Sequence, residues 1–470
     1  MPNVNGTSVP GLVGTGWASG GENYQATLAA NLVSGYDFYD RDYYKKIIRK
    51  VPRMASLQWM RVVKGYMAKR KAIRHQYYFV EEGQWMSASA TISSVTDNGT
   101  NATITLSSGD HTNGGKSSFP VVGQTVLFEN ETVGYVYSVN RSVDSAHTVT
   151  VYPVDSTNYN IIAAAVVGSS MVFYSNAQQE ESSATETRVP NVTKVLNYIQ
   201  TFRDAYKVTD HALQNHTEIN FNGQPFLHVK GIEELTDRFQ FQEESGLLLN
   251  PASNTLVNAG GKNIQLAKGL IPQINDNGNT LEYFGTPDMT TLDDVIMILN
   301  RSYGETDYVV GEGLRLNLGW KNWLIDFNTN ADKGISFSAF DGGGKQAIAL
   351  NFNSISIGSY NFHRQEWKIF SHSDTLGAGN MPYQDMAVFI PMGTTRNPET
   401  SDDEPYLQLV YADPGGAPGR NRGDYAMWSD GALAPSGPTN DVSYWRINME
   451  SYKGLEVRCR NKFLLLRRAA

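Results

Sequence analysis

Residues 226–249 have the sequence FLHVKGIEELTDRFQFQEESGLLL, which predicts a long amphipathic helix. Apolar residues recur along it at the spacing of one helix face: Val229, Ile232, Leu235 and Phe239. We expect a helix over residues 228–249 that stops at Gly246 or at Asn250-Pro251, because proline cannot continue a helix. The segments on either side differ from this helix in composition, and they define the other parts of the chain.

Residues 86–176 predict a small all-β domain inserted into the chain. Segments such as ATISSVTDNGTNATITL and HTVTVYPV are rich in Val and Thr, and turn signals such as Asp97-Asn98-Gly99 separate them. Their spacing fits a barrel or a sandwich. The residues before the domain, 72–81, are rich in aromatic side chains and lack a helical period, so we expect a strand there.

Residues 269–400 predict an α/β domain. A helix is expected from Thr290 to Tyr303, with hydroxyl and acidic side chains in its first turn, and a second helix from 313 to 327. Strands are expected at 335–340, 347–354, 355–363, 366–371 and 387–391, and in the tail at 406–411, 444–449 and 455–466. The chain as a whole is therefore expected to be of the α+β class.

The N-terminal part combines a nearly uncharged arm with a strongly basic segment. Residues 1–35 are rich in Gly, Asn, Ser and Thr, whereas residues 36–68 show a helical period. The net charge is −8, yet twelve Lys or Arg and one acid lie between Arg41 and Arg74. The basic residues that we single out are Lys45, Lys46, Arg49, Lys50, Arg53, Arg61, Lys64, Lys69, Arg70, Lys71 and Arg74.

Two interpretations of this basic segment stay open. It can face nucleic acid and neutralise phosphates without reading the bases. It can equally be a solvated or intersubunit helix face that pairs with acidic residues of a neighbour. The Tyr and Trp residues among these charges lie at helical spacing, which is more typical of a core or an interface than of base stacking.

The sequence offers no convincing catalytic or metal motif. His211 and His216 lie five residues apart, which does not bring two ligands to one helix face. The run from Gly342 to Lys345 lacks the glycine spacing and the Ser or Thr of a phosphate loop, so a hairpin turn is the better interpretation. Two of the many paired acids could in principle form a glycosidase couple, but spacing in sequence cannot establish it, and acidic doublets such as Glu243-Glu244 are usually solvated helix faces. We expect no enzyme activity, no cofactor and no metal.

The remaining sequence signals concern the compartment. Cys459 is the only cysteine, so no disulfide can form within the chain, and we expect it to be a small buried apolar residue. The first thirty residues show no signal peptide. The longest apolar run, 161–167, is too short to span a bilayer, so we expect no membrane association. The Arg422-Gly423-Asp424 tripeptide lies in a loop rich in Gly and Pro, where chance explains it.

The order of these parts resembles that of the major capsid proteins of tailed double-stranded DNA bacteriophages, most closely those of crAss-like phages. Three stretches carry the resemblance: YYFVEEGQW (77–85), RVPNVTKVLNYIQTFRDAYKVTDHAL (188–213) and IEELTDRFQFQEESGLLLNPASNTLVNAGGKNIQLAKGLIPQI (232–274). The resemblance implies an HK97-like capsid fold, which has an N-arm, an extended E-loop, a peripheral domain with a spine helix, and an axial domain.

The resemblance also implies domain boundaries on this sequence. They are an N-terminal arm and basic helical segment at 1–70, E-loop arms at 71–85 and 177–200, the inserted β-domain at 86–176, a peripheral domain at 201–268 and 401–470 with its spine helix at 228–249, and an axial α/β domain at 269–400. The inserted β-domain departs from the minimal fold of the family.

The function implied is that of a structural protein that self-assembles into an icosahedral shell around the phage genome. Hexamers and pentamers of the chain, auxiliary or decoration proteins, a portal and packaged double-stranded DNA are the expected partners. The expected location is the virion, with assembly in the host cytoplasm. Two alternatives stay open: a secreted β-rich protein that binds or hydrolyses carbohydrate, and another structural component of the virion.

Overall fold

In the computed structural model, the chain is described over residues 67–72, 74–82, 88–107, 120–142, 147–155, 160–180, 192–209, 220–221, 224–320, 354–371, 376, 382–396, 403–412, 426–434 and 437–469. It divides into two compact units. The barrel unit runs from Tyr78 to Val195, and the main unit comprises the chain before and after it.

Six antiparallel strands of the barrel unit form a closed barrel: β3 (Ala88–Asp97), β4 (Ala102–Leu106), β5 (Gln124–Phe128), β6 (Val133–Asn140), β7 (Thr148–Pro153) and β8 (Ser170–Asn176). Around the ring the order is β3-β4-β7-β6-β5-β8. Buried and partly exposed residues alternate along β4 and β7, as expected for strands with one face toward a core. Closure pairs every strand on both sides and removes sheet edges.

An apolar core fills the barrel. Ile104, Val126, Val136 and Val151 are fully buried in it, and Phe173 is 2% exposed. The short helix α1 (Ile161–Ala164) adds Ile161 and Ala164 to this core. Because the strands are contiguous in sequence and bury their own apolar faces, the barrel is closed by its own residues.

A two-stranded ribbon of β2 (Gln76–Glu82) and β9 (Val192–Tyr198) contains the points where the chain passes between the units. Within the ribbon, the Lys194 ammonium lies 3.9 Å from the centre of the Tyr78 ring. This cation–π contact joins the two strands from their side chains as well as from their backbones.

The long-strand sheet of the main unit combines five strands from distant parts of the sequence: β1 (Met67–Ala72), β10 (Gln200–Thr209), β22 (Leu407–Ala412), β23 (Ala426–Asp430) and β24 (Tyr444–Val457). The fourteen-residue strand β24 is its organising element. It pairs along one side with the whole of β10, and along the other with β22 and β23. β1 continues the sheet beyond β22 in parallel.

The long helix predicted over 228–249 is present as α2 (Phe226–Leu249), and it packs on the long-strand sheet. Leu235 and Phe239 of the predicted apolar stripe are buried, and Ile232 is partly buried. A Cβ on Gly231 would lie 2.4 Å from the Tyr206 ring of β10. Glycine at this position therefore lets the helix backbone approach the sheet directly.

The main unit contains a second sheet, which has six strands in the order β15-β25-β19-β16-β18-β17. Its strands are β15 (Asn279–Tyr283), β16 (Asp307–Glu312), β17 (Ser354–Ile357), β18 (Tyr360–Glu366), β19 (Met386–Pro391) and β25 (Leu464–Arg468). The helices near it are α3 (Leu270–Asn277), α4 (Met289–Arg301), a helical stretch at 314–320, and α5 (Lys368–Ser371).

Alternate residues of this sheet point to its two opposite sides, and each side packs in a different cluster of buried apolar residues. Val310 and Phe389 pack with α4, whereas Val388 and Leu465 join the core that also contains α2 and the long-strand sheet. The two sheets of the main unit therefore share one apolar core. Trp367 packs over Gly311, where a Cβ would lie 2.1 Å from the indole ring, so β16 needs glycine at that point.

Three short two-stranded hairpins complete the described strands: β11 (Asn220–Phe221) with β12 (Gln224–Pro225), β13 (Ser253–Val257) with β14 (Asn263–Leu266), and β20 (Thr394–Arg396) with β21 (Asp403–Pro405). Two 3₁₀ turns lie at Pro382–Asp385 and Arg460–Lys462.

Several local predictions are wrong. The strand predicted at 366–371 is wrong beyond Glu366, the last residue of β18: Lys368–Ser371 is the helix α5, and Trp367 and Phe370 both pack in the core. The predicted strand at 455–466 is two strands, since the backbone at Cys459 is left-handed (φ 50°) and a 3₁₀ turn follows. The predicted strand at 355–363 is also two, divided at Gly358 with φ 61°.

Two larger expectations also need correction. Residues 67–70 were expected in the basic helical segment, but Met67–Ala72 is a strand that pairs with β22. The whole tail 401–470 was expected in the peripheral domain, yet its last strand, β25, lies between β15 and β19 of the six-stranded sheet. Both strands are placed by pairing with residues far away in sequence, which local patterns do not show.

The other expected elements fall partly inside the described residues. The helix expected at 290–303 is α4, and its N-cap is Asp288, whose side chain accepts a hydrogen bond from the Thr291 amide at 2.9 Å. Of the helix expected at 313–327, residues 314–320 are helical and the rest lies outside the described residues. The strands expected at 335–340 and, except for residue 354, at 347–354 also lie outside them.

Candidate functional site

Four of the eleven basic residues singled out from the sequence lie within the described residues. Lys69, Arg70 and Lys71 are on β1, and Arg74 follows it. Lys69, Lys71 and Arg74 are exposed, whereas Arg70 is partly buried. The remaining seven lie outside the described residues: Lys45, Lys46, Arg49, Lys50, Arg53, Arg61 and Lys64. Because successive side chains of a strand point to opposite faces, Lys69 and Lys71 share one face and Arg70 takes the other.

Arg70 has a partner within its own chain. Its Nη1 lies 2.5 Å from Oε2 of Glu456, a β24 carboxylate that is fully buried. Arg458 contacts the other oxygen of Glu456 at 2.6 Å and also pairs with Glu404. Burial alone would lower the pKa of Arg458, but the carboxylates of Glu456 and Glu404 raise it. Arg70 is thus part of a charge network that joins β1 to β24 and, through Arg458, to Glu404 of β21.

The acidic doublet Glu243-Glu244 was expected to be a solvated helix face, and the structure corrects this. Both residues are buried at the C-terminal end of α2. Glu243 Oε2 accepts a hydrogen bond from the Lys453 Nζ at 2.8 Å, and its other oxygen accepts one from the Ser451 hydroxyl. The side chains of Lys453 and Glu243 are 4% and 5% exposed, so this is a buried ion pair between helix and sheet.

A second contact joins α2 to the long-strand sheet near the middle of the helix. The Arg238 guanidinium donates to both oxygens of Asp204 on β10, at 2.5 and 2.8 Å. This planar, bidentate geometry fixes orientation as well as distance. The periodicity placed Arg238 off the apolar stripe, but gave no indication of its partner.

The six-stranded sheet has its own buried ion pair. Arg364 on β18 donates to both oxygens of Glu312 on β16, each at 2.8 Å. The two side chains are 6% and 2% exposed, and Asn317 donates a further hydrogen bond to Glu312 at 2.9 Å. Parallel strands and the adjoining helical stretch are therefore tied at one carboxylate.

Glu305, Tyr406 and Lys462 form a compact group of titratable side chains. The Tyr406 hydroxyl donates to Glu305 Oε1 at 2.6 Å, and Lys462 Nζ contacts both the same oxygen and the Tyr406 hydroxyl. Tyr308 joins the group by accepting from the Glu305 amide and donating to the Lys462 carbonyl, both at 3.0 Å.

The protonation states in this group are those of a structural cluster. Partial burial would raise the pKa of Glu305, but the hydrogen bonds from Lys462 and Tyr406 hold it below its ordinary value. Burial and the neighbouring Glu305 raise the pKa of the Tyr406 hydroxyl far above neutrality. Glu305 is thus ionised and Tyr406 protonated at neutral pH, so the carboxylate accepts from both the Tyr406 hydroxyl and the Lys462 ammonium.

Other features singled out in the sequence are placed as follows. Among the described residues, no group of three His, Cys, Asp or Glu side chains could hold a metal ion. His211, His216, the run at 342–345 and the tripeptide at 422–424 lie outside them. Cys459 was expected to be buried in a strand; it is partly buried against the core of the main unit, but it lies in a left-handed turn. No helix in the described part of the chain is long and apolar enough to cross a membrane.

No protein-family model matches the chain, and no curated protein matches it. Solved structures with similar architecture do exist. They include the capsid of a native GTA particle (10% identity, 93% of this chain and 98% of that chain, TM-score 0.39), a chain of Microbacterium phage Oxtober96 (8%, 94% and 98%, TM-score 0.40) and the capsid of Cyanophage P-SCSP1u (10%, 92% and 93%, TM-score 0.39).

Proposed function

We propose that the chain is a major capsid protein of a tailed double-stranded DNA bacteriophage with an HK97-like fold. The observation that carries this proposal is the arrangement around α2. One 24-residue helix packs on a sheet whose strands come from both ends of the described chain, and a two-stranded ribbon with an inserted domain interrupts the sequence between β1 and β10. The resemblance noted in the sequence implies these parts in this order.

The parts of the fold can be matched to this proposal. The ribbon of β2 and β9 would be the E-loop arms, and the barrel its inserted domain. α2 and the long-strand sheet would form the peripheral domain, with α2 as the spine helix. The six-stranded sheet would be the axial domain, which then includes the tail strand β25 as well as residues 269–400.

The internal contacts suit a subunit of a shell, since such a subunit has to keep its shape while it meets several neighbours. Buried ion pairs fix α2 on its sheet and fix β16 to β18. Glu305 and Tyr406 hold the turn at Lys462. A structural role requires only this rigidity together with outward contacts.

The proposed partners follow from the role. Copies of the chain would form hexamers and pentamers that close into an icosahedral shell, with a portal and auxiliary or decoration proteins added to it. The exposed Lys69, Lys71 and Arg74, with the basic residues before them, would face phosphates of the packaged DNA or acidic residues of a neighbouring copy. The protein would be assembled in the bacterial cytoplasm and reside in the virion.

The test is to purify the full chain and follow its assembly by electron microscopy and sedimentation over a range of protein and salt concentrations. We expect hexamers, pentamers, and curved shells or tubes. Rings of one fixed symmetry would identify another virion component instead. A chain that stays monomeric in every condition, and binds sugars on a glycan array, would replace the proposal with a carbohydrate-binding function.

A further inference from the structure

The tripeptide Asp-Asn-Gly occurs twice in the sequence, at 97–99 and at 276–278. An asparagine that precedes glycine is open to attack on its side-chain amide by the next backbone nitrogen, because glycine has no side chain to hinder the approach. Since the two tripeptides are identical, a difference in their reactivity has to come from the surrounding structure. The chain folds around the two tripeptides in different ways.

The first tripeptide lies where β3 ends and the loop to β4 begins. All three of its residues are exposed, and the Asn98 backbone amide donates a hydrogen bond to the Asn101 carbonyl at 3.0 Å across the loop. Gly99 has a left-handed backbone, with φ 92°, and a Cβ added to it would meet no atom within 4 Å. The backbone at Gly99 therefore has room to change its conformation.

The Asp97 carboxylate contacts the backbone nitrogen that would attack Asn98. Its Oδ1 accepts a hydrogen bond from the Gly99 amide at 2.7 Å. A general base has to lie within hydrogen-bond reach of the proton that it removes, and Asp97 meets this condition. The Asn98 Nδ2, which would leave as ammonia, donates to Asn101 Oδ1 and to Thr103 Oγ1, both at 2.9 Å. The base, the attacking nitrogen and the leaving nitrogen thus lie together in one loop.

The second tripeptide lies at the C-terminal end of α3. The Gly278 amide donates to the Ile274 carbonyl at 2.7 Å and so caps the helix. A Cβ on Gly278 would lie 2.8 Å from the Ile274 side chain and 3.1 Å from the Arg460 carbonyl, so the backbone is closely packed there. The Asp276 carboxylate pairs with Lys268. The nitrogen of this glycine therefore keeps its proton, and it has no room to turn toward the asparagine side chain.

Arg460 also binds the side chain of Asn277. With the amide oriented to suit its neighbours, the Asn277 oxygen accepts from both Nη atoms of Arg460, at 2.9 and 3.0 Å. A cation on this oxygen makes the carbonyl carbon more open to attack, but the attacking nitrogen of Gly278 stays bound to the Ile274 carbonyl. The contrast between the two tripeptides is therefore in the glycine nitrogen and not in the asparagine carbonyl.

We propose that Asn98 is a site of spontaneous deamidation for which Asp97 is the base, and that the fold protects Asn277 in the identical tripeptide. The Gly99 nitrogen gives its proton to Asp97 and forms a bond to Cγ of Asn98. The Cγ–Nδ2 bond then breaks, and the nitrogen leaves as ammonia with the proton that Asp97 returns. Water opens the cyclic imide at either of its carbonyls, which leaves aspartate or isoaspartate in place of the asparagine. The loop between β3 and β4 thereby gains a negative charge.

Peptide mapping by mass spectrometry on the full folded chain tests the proposal. The chain is incubated at neutral pH in water enriched in heavy oxygen, so that conversion during the incubation is distinguished from earlier conversion. We expect deamidation at Asn98 to be at least about tenfold faster than at Asn277, which corresponds to about 1.4 kcal/mol in activation free energy. In concentrated urea the two sites should react at similar rates, because the tripeptides are identical once the fold is lost.

The Asp97→Asn variant tests the role of the base. It keeps a side-chain oxygen that can accept the hydrogen bond from the Gly99 amide, but that oxygen is not basic. We expect deamidation at Asn98 to slow by at least about tenfold in the folded variant, since general base catalysis contributes at least that much. Hydrogen exchange of barrel peptides should match the parent, which shows that the loop change leaves the barrel folded.

The matched control is Asp276→Asn in the second tripeptide. Because the Asp276 carboxylate pairs with Lys268 and the Gly278 amide with the Ile274 carbonyl, deamidation at Asn277 should stay as slow as in the parent.

Other results overturn the inference. Equal rates at Asn98 and Asn277 in the folded chain would mean that the fold does not select between the two tripeptides. An unchanged rate at Asn98 in the Asp97→Asn variant would mean that the carboxylate is not the base. A faster rate in that variant would mean that the bond from Asp97 protects the glycine nitrogen instead of activating it. The inference goes beyond the proposed function, and none of these measurements depends on assembly of the chain.

Discussion

The barrel unit and the main unit are held together in different ways. In the barrel, strands that follow one another in sequence close a ring around an apolar core. In the main unit, elements from distant parts of the chain meet, and charged pairs such as Glu243–Lys453 and Glu312–Arg364 are buried between them. The difference shows what each topology needs. Strands with one buried face have their register set by which residues must enter the core, whereas a helix laid on a sheet benefits from directional contacts that fix its position.

Among the variants that should affect the stability of one unit and not the other, we expect Lys453→Met to have the largest effect. The change leaves the Glu243 carboxylate buried without its cationic partner, which should destabilise the main unit by about 3–5 kcal/mol. Urea unfolding followed by tryptophan fluorescence measures it, since seven of the eight tryptophans, among them the buried Trp367, belong to the main unit and only Trp85 belongs to the barrel unit. Barrel peptides should keep their protection in amide hydrogen exchange.

An exposed ion pair serves as the control for this variant. Glu282 pairs with Arg467 at 2.8 Å, but the two side chains are 50% and 42% exposed. Glu282→Ala should therefore change the free energy of unfolding by less than about 1 kcal/mol. A loss as small as this in Lys453→Met would mean that the buried pair does not fix α2 on the sheet.

Truncating a core side chain of the barrel should destabilise the barrel and leave the stability of the main unit unchanged. Ile104 is fully buried between strands, so Ile104→Ala should destabilise the barrel by about 2–5 kcal/mol through lost burial and the cavity left behind. Hydrogen exchange of barrel peptides should rise while the tryptophan transition of the main unit stays in place. Thr105→Ala, on the outward side of the same strand, should have little effect. Equal loss of protection in both units would show that they unfold as one.

The smallest difference that we expect between the two units is in how much stability each loses as the pH falls. The folded-state pKa of Glu305 is held below its ordinary value of 4.5, and that of Asp430 is lowered by the hydrogen bond from Arg446. A lowered folded-state pKa contributes stability above the unfolded pKa, and this is lost as the pH falls through the folded value. Between about pH 5 and about pH 3, the main unit should therefore lose up to about 1 kcal/mol per group after solvent screening.

Urea midpoints at a series of pH values measure this loss. Glu305→Gln should remove part of the acid dependence at the cost of lower stability at neutral pH, because the amide cannot replace the carboxylate beside Lys462. The barrel strands carry one carboxylate, Asp97, so barrel protection should respond less. If acid lowered the stability of the barrel more steeply than that of the main unit, the expected difference between the two units would be wrong.

The features that the sequence predicts well are those with a local period. The helix expected at 228–249 lies within α2, because its apolar residues recur at helical spacing. The alternation of Thr with Ala, Ile and Leu between 102 and 106 likewise corresponds to a strand with alternating burial. These patterns depend only on which side of an element faces a core.

Features that depend on distant partners could not be predicted. Arg70 and Glu456 are 386 positions apart, and their contact follows from the order of β1, β22 and β24 in the sheet. The backbone at Cys459 is left-handed although the residue is not glycine, so the sequence gives no signal for this turn. The burial of Glu243 depends on Lys453, which becomes its neighbour only after α2 has packed on β24. The sequence shows the charge of the basic residues that were singled out, but it does not show that Arg70 pairs with a carboxylate of its own chain.

The position of β25 has a consequence for the newly made chain. Residues 464–468 lie between β15 and β19, whose own residues, 279–283 and 386–391, leave the ribosome much earlier. The six-stranded sheet therefore cannot close until residue 468 has been synthesised. A chain interrupted before that point would present two open strand edges, which favour aggregation and recognition by chaperones or proteases. The sheet thus makes correct folding of the main unit conditional on translation having passed its last strand.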